Sequence, residues 1–244
     1  VNPVDLEWGL AGAERLAAEA DVSVVVDVLS FTTTLSVALE AGMTVFPYPW
    51  ASAQAAAFAG ERDAVLAVGR RAAAPGEVSL SPTSVRAARG IERLVLPSPN
   101  GSTIAHALGA GTLAASLRNR AAVATALVGV DRILLVPAGE RWDDGSLRPA
   151  VEDLWGAGGV AAALEDAGRS LSEEAAAAAA AYRLVATRIA EALSACVSGQ
   201  ELIGYGFGDD VAVAAELDAS HVVPRLREDG AFASCAGAAA ETTT

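Results

Sequence analysis

Residues 22–26 read Val-Ser-Val-Val-Val and end on Asp27. A short, almost continuous apolar run rich in β-branched residues predicts a strand covered on both faces, as in the parallel sheets of α/β proteins. A polar cluster follows (Ser30, Thr32, Thr33, Thr34), then a helical pattern over 35–41 closed by Gly42. That strand-then-helix unit recurs. Strands are expected at 44–48, 64–68, 93–96, 112–114, 132–136 and 221–224. Helices are expected at 52–59, 84–89, 103–108, 152–167 and 209–217, while 121–130 fits either element. A long helix is expected from 170 to about 197, opened by a capping box of Ser170 with Glu173. Alternation of this kind predicts a three-layer α/β/α fold around a largely parallel or mixed sheet. Residues 1–235 are expected to form the domain, with two lobes left open, and 236–244 a disordered tail.

Charge narrows the partners. The 244 residues carry a formal charge of −13, so no cationic face for nucleic acid is expected. All 17 basic residues are arginine. A Schiff-base lysine, a lysine general base and a P-loop lysine are therefore excluded. The two cysteines, Cys196 and Cys235, are not expected to form a structural disulfide. Early charges (Asp5, Glu7), no apolar signal core and no apolar run long enough to span a bilayer lead to the expectation of a cytoplasmic protein without membrane contact.

In open α/β sheets ligands bind beyond the carboxyl ends of the strands. Three groups follow predicted strands: Asp27 with the threonines; Asn100, Gly101, Ser102 and Thr103; and Gly139, Glu140 and Arg141. Where the sheet is parallel they would converge. A carboxylate at a buried strand end is costly unless paired or holding a metal. Asp27 therefore reads as a Mg²⁺ ligand, a phosphoryl-accepting nucleophile or a loop-bracing cap. Threonines at a helix start suit an anion but are also ordinary N-caps. Glu152 and Asp153 open a helix, where the dipole favours acids and where they could equally hold a cation. The Gly156-Ala-Gly-Gly159 run follows no strand and reads as close helix packing rather than a nucleotide loop. His106, His221, Trp50 and Trp155 read as structural, and Trp142 as packing or the wall of a pocket.

Five ordered segments carry a resemblance: VVVDVLSFTTTLSVALEAG (24–42), PGEVSLSPTS (75–84), LPSPNGSTIA (96–105), VPAGERWDDGSLRPAVEDLWGAG (136–158) and GFGDDVAVAAELDASHVVP (206–224). Together the chain resembles the 2-phosphosulfolactate phosphatase (ComB) family. The resemblance implies a three-layer fold, Mg²⁺ dependence, and hydrolysis of 2-phosphosulfolactate to sulfolactate on the way to coenzyme M. The residues expected to act are then Asp27, Glu152 and Asp153 in catalysis. Thr32, Thr33, Asn100, Gly101, Ser102, Gly139, Glu140 and Arg141 are expected on a small phosphorylated anion, and Asp27, Glu152, Asp153 and Asp210 on Mg²⁺. A homodimer is left open. One departure stands out: the family commonly carries Arg where this chain has Ser30. Arg70 or Arg71 is expected to supply the missing charge. A second reading is a non-catalytic binder of small anions on the same fold.

Overall fold

A computed structural model describes residues 2–49 and 54–235. Its strands are β1 (Asp5–Leu6), β2 (Val22–Val26), β3 (Thr44–Pro49), β4 (Val65–Leu66), β5 (Arg93–Ser98), β6 (Leu113–Ala115), β7 (Ile133–Pro137), β8 (Glu140–Arg141), β9 (Leu147–Arg148), β10 (Val223–Leu226) and β11 (Phe232–Cys235). Its α-helices are α1 (Gly9–Leu16), α2 (Phe31–Glu40), α3 (Ala55–Gly60), α4 (Pro82–Ala87), α5 (Gly101–Leu108), α6 (Arg120–Leu127), α7 (Val151–Asp166), α8 (Glu173–Val185), α9 (Ile189–Ala195), α10 (Val197–Gly204) and α11 (Gly208–Ala214). The expected tail from 236 and Trp50 lie outside the described residues. Among the described residues nine strands join one sheet in the order β1-β7-β2-β6-β10-β11-β3-β5-β4, and β8 and β9 form a separate ribbon.

The expected α/β/α layering is present, and the sheet is mixed. β1, β7, β2 and β6 run parallel, as do β3, β5 and β4. Between the two sets, β6–β10, β10–β11 and β11–β3 are all antiparallel. Three reversals turn the second set against the first. The expectation that all the polar groups collect on one carboxyl rim is thereby corrected. Asp27 and Gly139 do share a rim, because β2 and β7 are parallel neighbours. Asn100 comes from the opposed set and reaches them because the sheet curls.

That curl closes around α2. Every residue from Phe31 to Leu39 is buried, and the helix touches β3, β5, β6 and β10. Alternation along the strands feeds both faces: Val25 packs on the α2 side with Phe31, Leu35, Leu96 and Ile104, while Val24 and Val26 face α6, α7 and α8. Burying a side chain such as Leu35 contributes roughly 1.5–3 kcal/mol. On the far face α7 lies against α8 and β2. A Cβ on Gly156 would meet Val26 and Val28 at 2.6 Å, and one on Gly158 the Ala178 carbonyl oxygen at 2.0 Å. The glycine run is a packing surface, as expected.

Two helix expectations change. Ser172, not Ser170, caps α8, its hydroxyl accepting from the Ala175 N–H at 3.3 Å. Ser170 is drawn into strand-like pairing instead, its carbonyl accepting from Val4 N–H at 2.9 Å. The long helix also breaks, after Val185 and again at Cys196, whose sulfur accepts from the Gly199 N–H. Both cysteines are free. Among the described residues no helix is long and apolar enough to cross a membrane.

Candidate active site

Asp27 leaves β2 and bridges the starts of two helices. Its Oδ1 accepts from the Phe31 N–H of α2 at 3.1 Å and its Oδ2 from the Gly101 N–H of α5 at 2.8 Å. Ser98 Oγ lies 3.4 Å from Oδ2. Helix N-termini favour a negative charge, so this is the loop-bracing arrangement. Gly101 is required there: a Cβ would stand 2.6 Å from Asp27 Oδ2 and 2.8 Å from the Phe31 ring.

Asp153 and Glu140 lie in the field of Asp27, and Glu152 lies in the field of both. Asp153, in the first turn of α7, accepts from Val28 N–H at 2.7 Å and from Gly139 N–H at 2.8 Å. It thus ties the loop after β2 to the loop after β7. Burial pushes its carboxyl well above the usual range, and the charges of Asp27, Glu152 and Glu140 push it further. Asp27 is raised mainly by burial, against the opposing pull of its two backbone N–H donors and Arg70. Glu140 is raised to about 7, by burial first and then by Asp27 and Glu152. Glu152 is buried and faces Cys196, whose thiol is pushed up to about 12 by burial first and then by the Glu152 charge. Burial and mutual repulsion leave Asp27, Asp153 and Glu140 holding their protons more tightly than ordinary carboxyls.

Asn100 links the two sides of the site. Its Nδ2 donates to Glu140 Oε2 at 2.8 Å, and its Oδ1 accepts from Arg141 Nε at 3.3 Å. Gly139 takes a left-handed conformation (φ 68°), which lets the chain turn into β8 beneath Leu147.

Several hydroxyls expected on the substrate are used by the fold. α2 begins at Phe31 rather than after the threonines, so Thr32 and Thr33 lie inside its first turn. Thr32 Oγ1 donates to the Asp27 carbonyl at 2.7 Å and Thr33 Oγ1 to the Val28 carbonyl at 2.8 Å. Ser102 is likewise inside α5, its hydroxyl between the Tyr48 N–H at 2.6 Å and the Tyr48 and Leu96 carbonyls. All three are fully or almost fully buried. They shape the site without facing it.

Asp210, expected on the metal, is placed otherwise. Its Oδ2 accepts from Arg70 Nε at 2.9 Å, and its Oδ1 from Ser81 Oγ at 2.6 Å and Thr83 Oγ1 at 2.7 Å. Arg70 also donates to the Ser30 hydroxyl. Of the two arginines proposed to replace the missing charge, Arg70 therefore enters the site, while Arg71 stacks over Tyr205 at 5.0 Å. The roles of Ser81 and Thr83 escaped the sequence reading. Their signal was the Ser-Pro-Thr helix start, with Ser81 as the N-cap of α4.

These groups frame a cleft of 330 Å³ lined by Asp27, Ser30, Arg70, Ser98, Asn100 and Glu140, with Leu29, Leu80 and Pro99 as its apolar wall. A second cleft of 250 Å³ shares Asn100 and Glu140 and continues past Arg141, Trp8 and Leu147. The helix α1 that walls it was missing from the sequence reading. Trp142, 57% exposed, lies beside Arg148 and not in either cleft.

Among the described residues no three acids, histidines or cysteines form a ready metal cage. The donor chemistry nevertheless suits Mg²⁺, which commonly takes one or two carboxylates, waters and substrate phosphate. Each oxygen of Asp27 accepts from backbone N–H, and an ionised carboxylate has about four acceptor sites, so capacity remains.

The family model for 2-phosphosulpholactate phosphatase matches residues 12–229. A curated relative from Carboxydothermus hydrogenoformans, described as a probable 2-phosphosulfolactate phosphatase, is 33% identical over 221 residues, covering 85% of this chain and 87% of the relative.

Proposed function

The chain belongs to the 2-phosphosulpholactate phosphatase family, and from that premise we propose that it hydrolyses 2-phosphosulfolactate, or a closely related phosphorylated acid, in a Mg²⁺-dependent reaction. The observation that carries the reading is a buried carboxylate held between two helix N-termini, fronting a cleft that holds a second acid raised to about 7 and one guanidinium. Asp27 would hold Mg²⁺, with the charge of Asp153 behind it. The ion, when bound, neutralises and polarises the phosphoryl group.

The remaining work falls to this chain's own groups. A water in the cleft attacks phosphorus and gives its proton to Glu140. The water oxygen bonds to phosphorus as the ester P–O bond breaks, and the departing alkoxide takes up a proton from solvent. Glu140 suits this role because it lines the cleft beside Asp27, and burial with the neighbouring acids raises its carboxyl to about 7 in the metal-free protein, making it a stronger base than an ordinary carboxylate. Asn100 Nδ2 orients it through one oxygen and leaves the other free to accept. The second cleft, beyond the Asn100–Glu140 wall, would take the acid end of the substrate near Arg141.

Release of inorganic phosphate from 2-phosphosulfolactate and a panel of phosphate esters, with and without Mg²⁺, tests the reading. Asp27→Asn should lower kcat by about a hundredfold or more while circular dichroism stays native. Turnover unchanged by that substitution, or equal with Mg²⁺ and with EDTA, would refute it.

A further inference from the structure

The cleft poses an electrostatic problem. Two of its lining residues are acids, Asp27 and Glu140, and the chain carries −13 overall. A phosphorylated acid must enter against that field. Among the described residues one cation lines the cleft: Arg70. We propose that Arg70 is the anion-recognition residue, gripping the substrate's phosphoryl oxygens, and that Asp210 is the positioning residue that aims it. The proposal rests on the phosphatase reading for the identity of the anion alone; Arg70's placement stands on geometry.

Three observations support it. The first is anchorage. Arg70 is 13% exposed in its side chain and Asp210 only 1%. Asp210 is itself held by Ser81 and Thr83, so the carboxylate that orients the guanidinium has little freedom. A recognition group must be held by its surroundings, or binding would have to order it.

The second is the donor count. A guanidinium offers five N–H donors. Arg70 spends one on Asp210, through Nε, and one on Ser30, through an Nη. Both hydrogens of the other terminal nitrogen, and one more, have no protein partner among the described residues. Two N–H groups in a fixed fork match the oxygens of a phosphate or sulfonate, which a lysine ammonium cannot reproduce.

The third is position. Asp210 neutralises Arg70 by a single carboxylate, yet Arg70 lines the same cleft as Asp27, Ser98, Asn100 and Glu140. Arg70 thus faces the groups of the cleft as well as Asp210. Ser30 supplies a small hydroxyl against the guanidinium where a longer side chain would occupy the space it needs.

The test uses the whole protein and inorganic phosphate as the probe. Phosphate affinity is read by calorimetry, and KM and kcat by phosphate release. Arg70→Lys keeps a charge beside Asp210 but loses the fork. Arg70→Ala with Asp210→Asn removes both charges and so leaves no buried ion unpaired. Both variants should bind phosphate about tenfold or more weakly and raise KM in proportion, with kcat changed far less. Free guanidinium should partly restore binding to the double variant, which a merely structural ion pair would not allow. Phosphate affinity within twofold of wild type in both folded variants overturns the proposal, as does a wild-type protein that binds no phosphate. A wild-type protein that binds phosphate through Arg70 but hydrolyses no ester leaves the assignment standing and sinks the phosphatase reading.

Discussion

At the scale of single residues, the site is a set of buried acids held by backbone N–H groups. Gly101 shows how little room there is. Gly101→Ala would drive a methyl to within 2.6 Å of Asp27 Oδ2, so the carboxylate must leave one helix start. We expect a loss of about 1–3 kcal/mol in urea denaturation and a fall in kcat beyond what stability explains. Glu140 gives a second expectation. Burial, then the charges of Asp27 and Glu152, raise its carboxyl to about 7 in the metal-free protein. It must be ionised to accept a proton, so kcat/KM should rise with pH through its titration and then level, at a lower pH once a cation on Asp27 cancels that neighbour's charge. Glu140→Gln should abolish that limb and lower the plateau by about a hundredfold or more. A pH profile that keeps its acid limb in the variant would assign the proton transfer elsewhere. At this scale the residues singled out because each follows a strand or opens a helix, Asp27, Asn100, Gly101, Gly139 and Asp153, do meet in space. Thr32, Thr33 and Ser102, expected on the substrate, bond backbone carbonyls instead. A hydroxyl near a helix start looks the same whether it faces a ligand or a carbonyl one turn back.

At the scale of elements, α2 and α7 position the chemistry. α2 is buried from Phe31 to Leu39, and its start points at Asp27 from inside the sheet's curl. α7 brings Asp153 to the loops after β2 and β7, and does so by lying closely on α8 through Gly158. Gly158→Ala would set a Cβ 2.0 Å from the Ala178 carbonyl oxygen. Separating the helices should cost about 1–3 kcal/mol in thermal or urea unfolding. It should also weaken activity by moving Asp153, and full stability in that variant would show the contact to be soft. Strand and helix identities were largely legible in the pattern of apolar residues. Boundaries were less so. α2 and α5 each start earlier than hydropathy alone indicates, because Asp27 accepts from the first N–H of both and extends them backward. The break of the 170–197 segment was invisible in its alanine-rich pattern, since alanine suits a helix whether or not tertiary contacts interrupt it.

At the scale of the whole molecule, the acid cluster links stability to pH. The folded Glu140 carboxyl lies near 7, above its ordinary value of 4.5. Its raised value means the folded state holds the proton more tightly than the unfolded chain. The associated stability is present in full below about 4.5 and is lost as pH rises through about 7. The loss amounts to roughly 3 kcal/mol if Glu140 acts alone. Asp27 and Asp153, also raised, act in the same direction. Urea midpoints in EDTA should therefore fall between pH 5.5 and 8.5, and Mg²⁺ should restore more stability at pH 8.5 than at 5.5. A midpoint that does not change with pH in EDTA would mean these acids are not mutually destabilising.

Read alone, the chain determined its layering, its acid after β2, its Asn-Gly turn and its glycine-lined helix, because each is written in the spacing of neighbouring residues. The tertiary structure decided which way the two halves of the sheet run, and so by what route Asn100 meets Asp27. It also decided that Arg70, not Arg71, enters the cleft, held by a carboxylate 140 positions away. Such choices belong to contacts between distant segments, and local pattern carries no record of which partner a side chain finds once the sheet has curled.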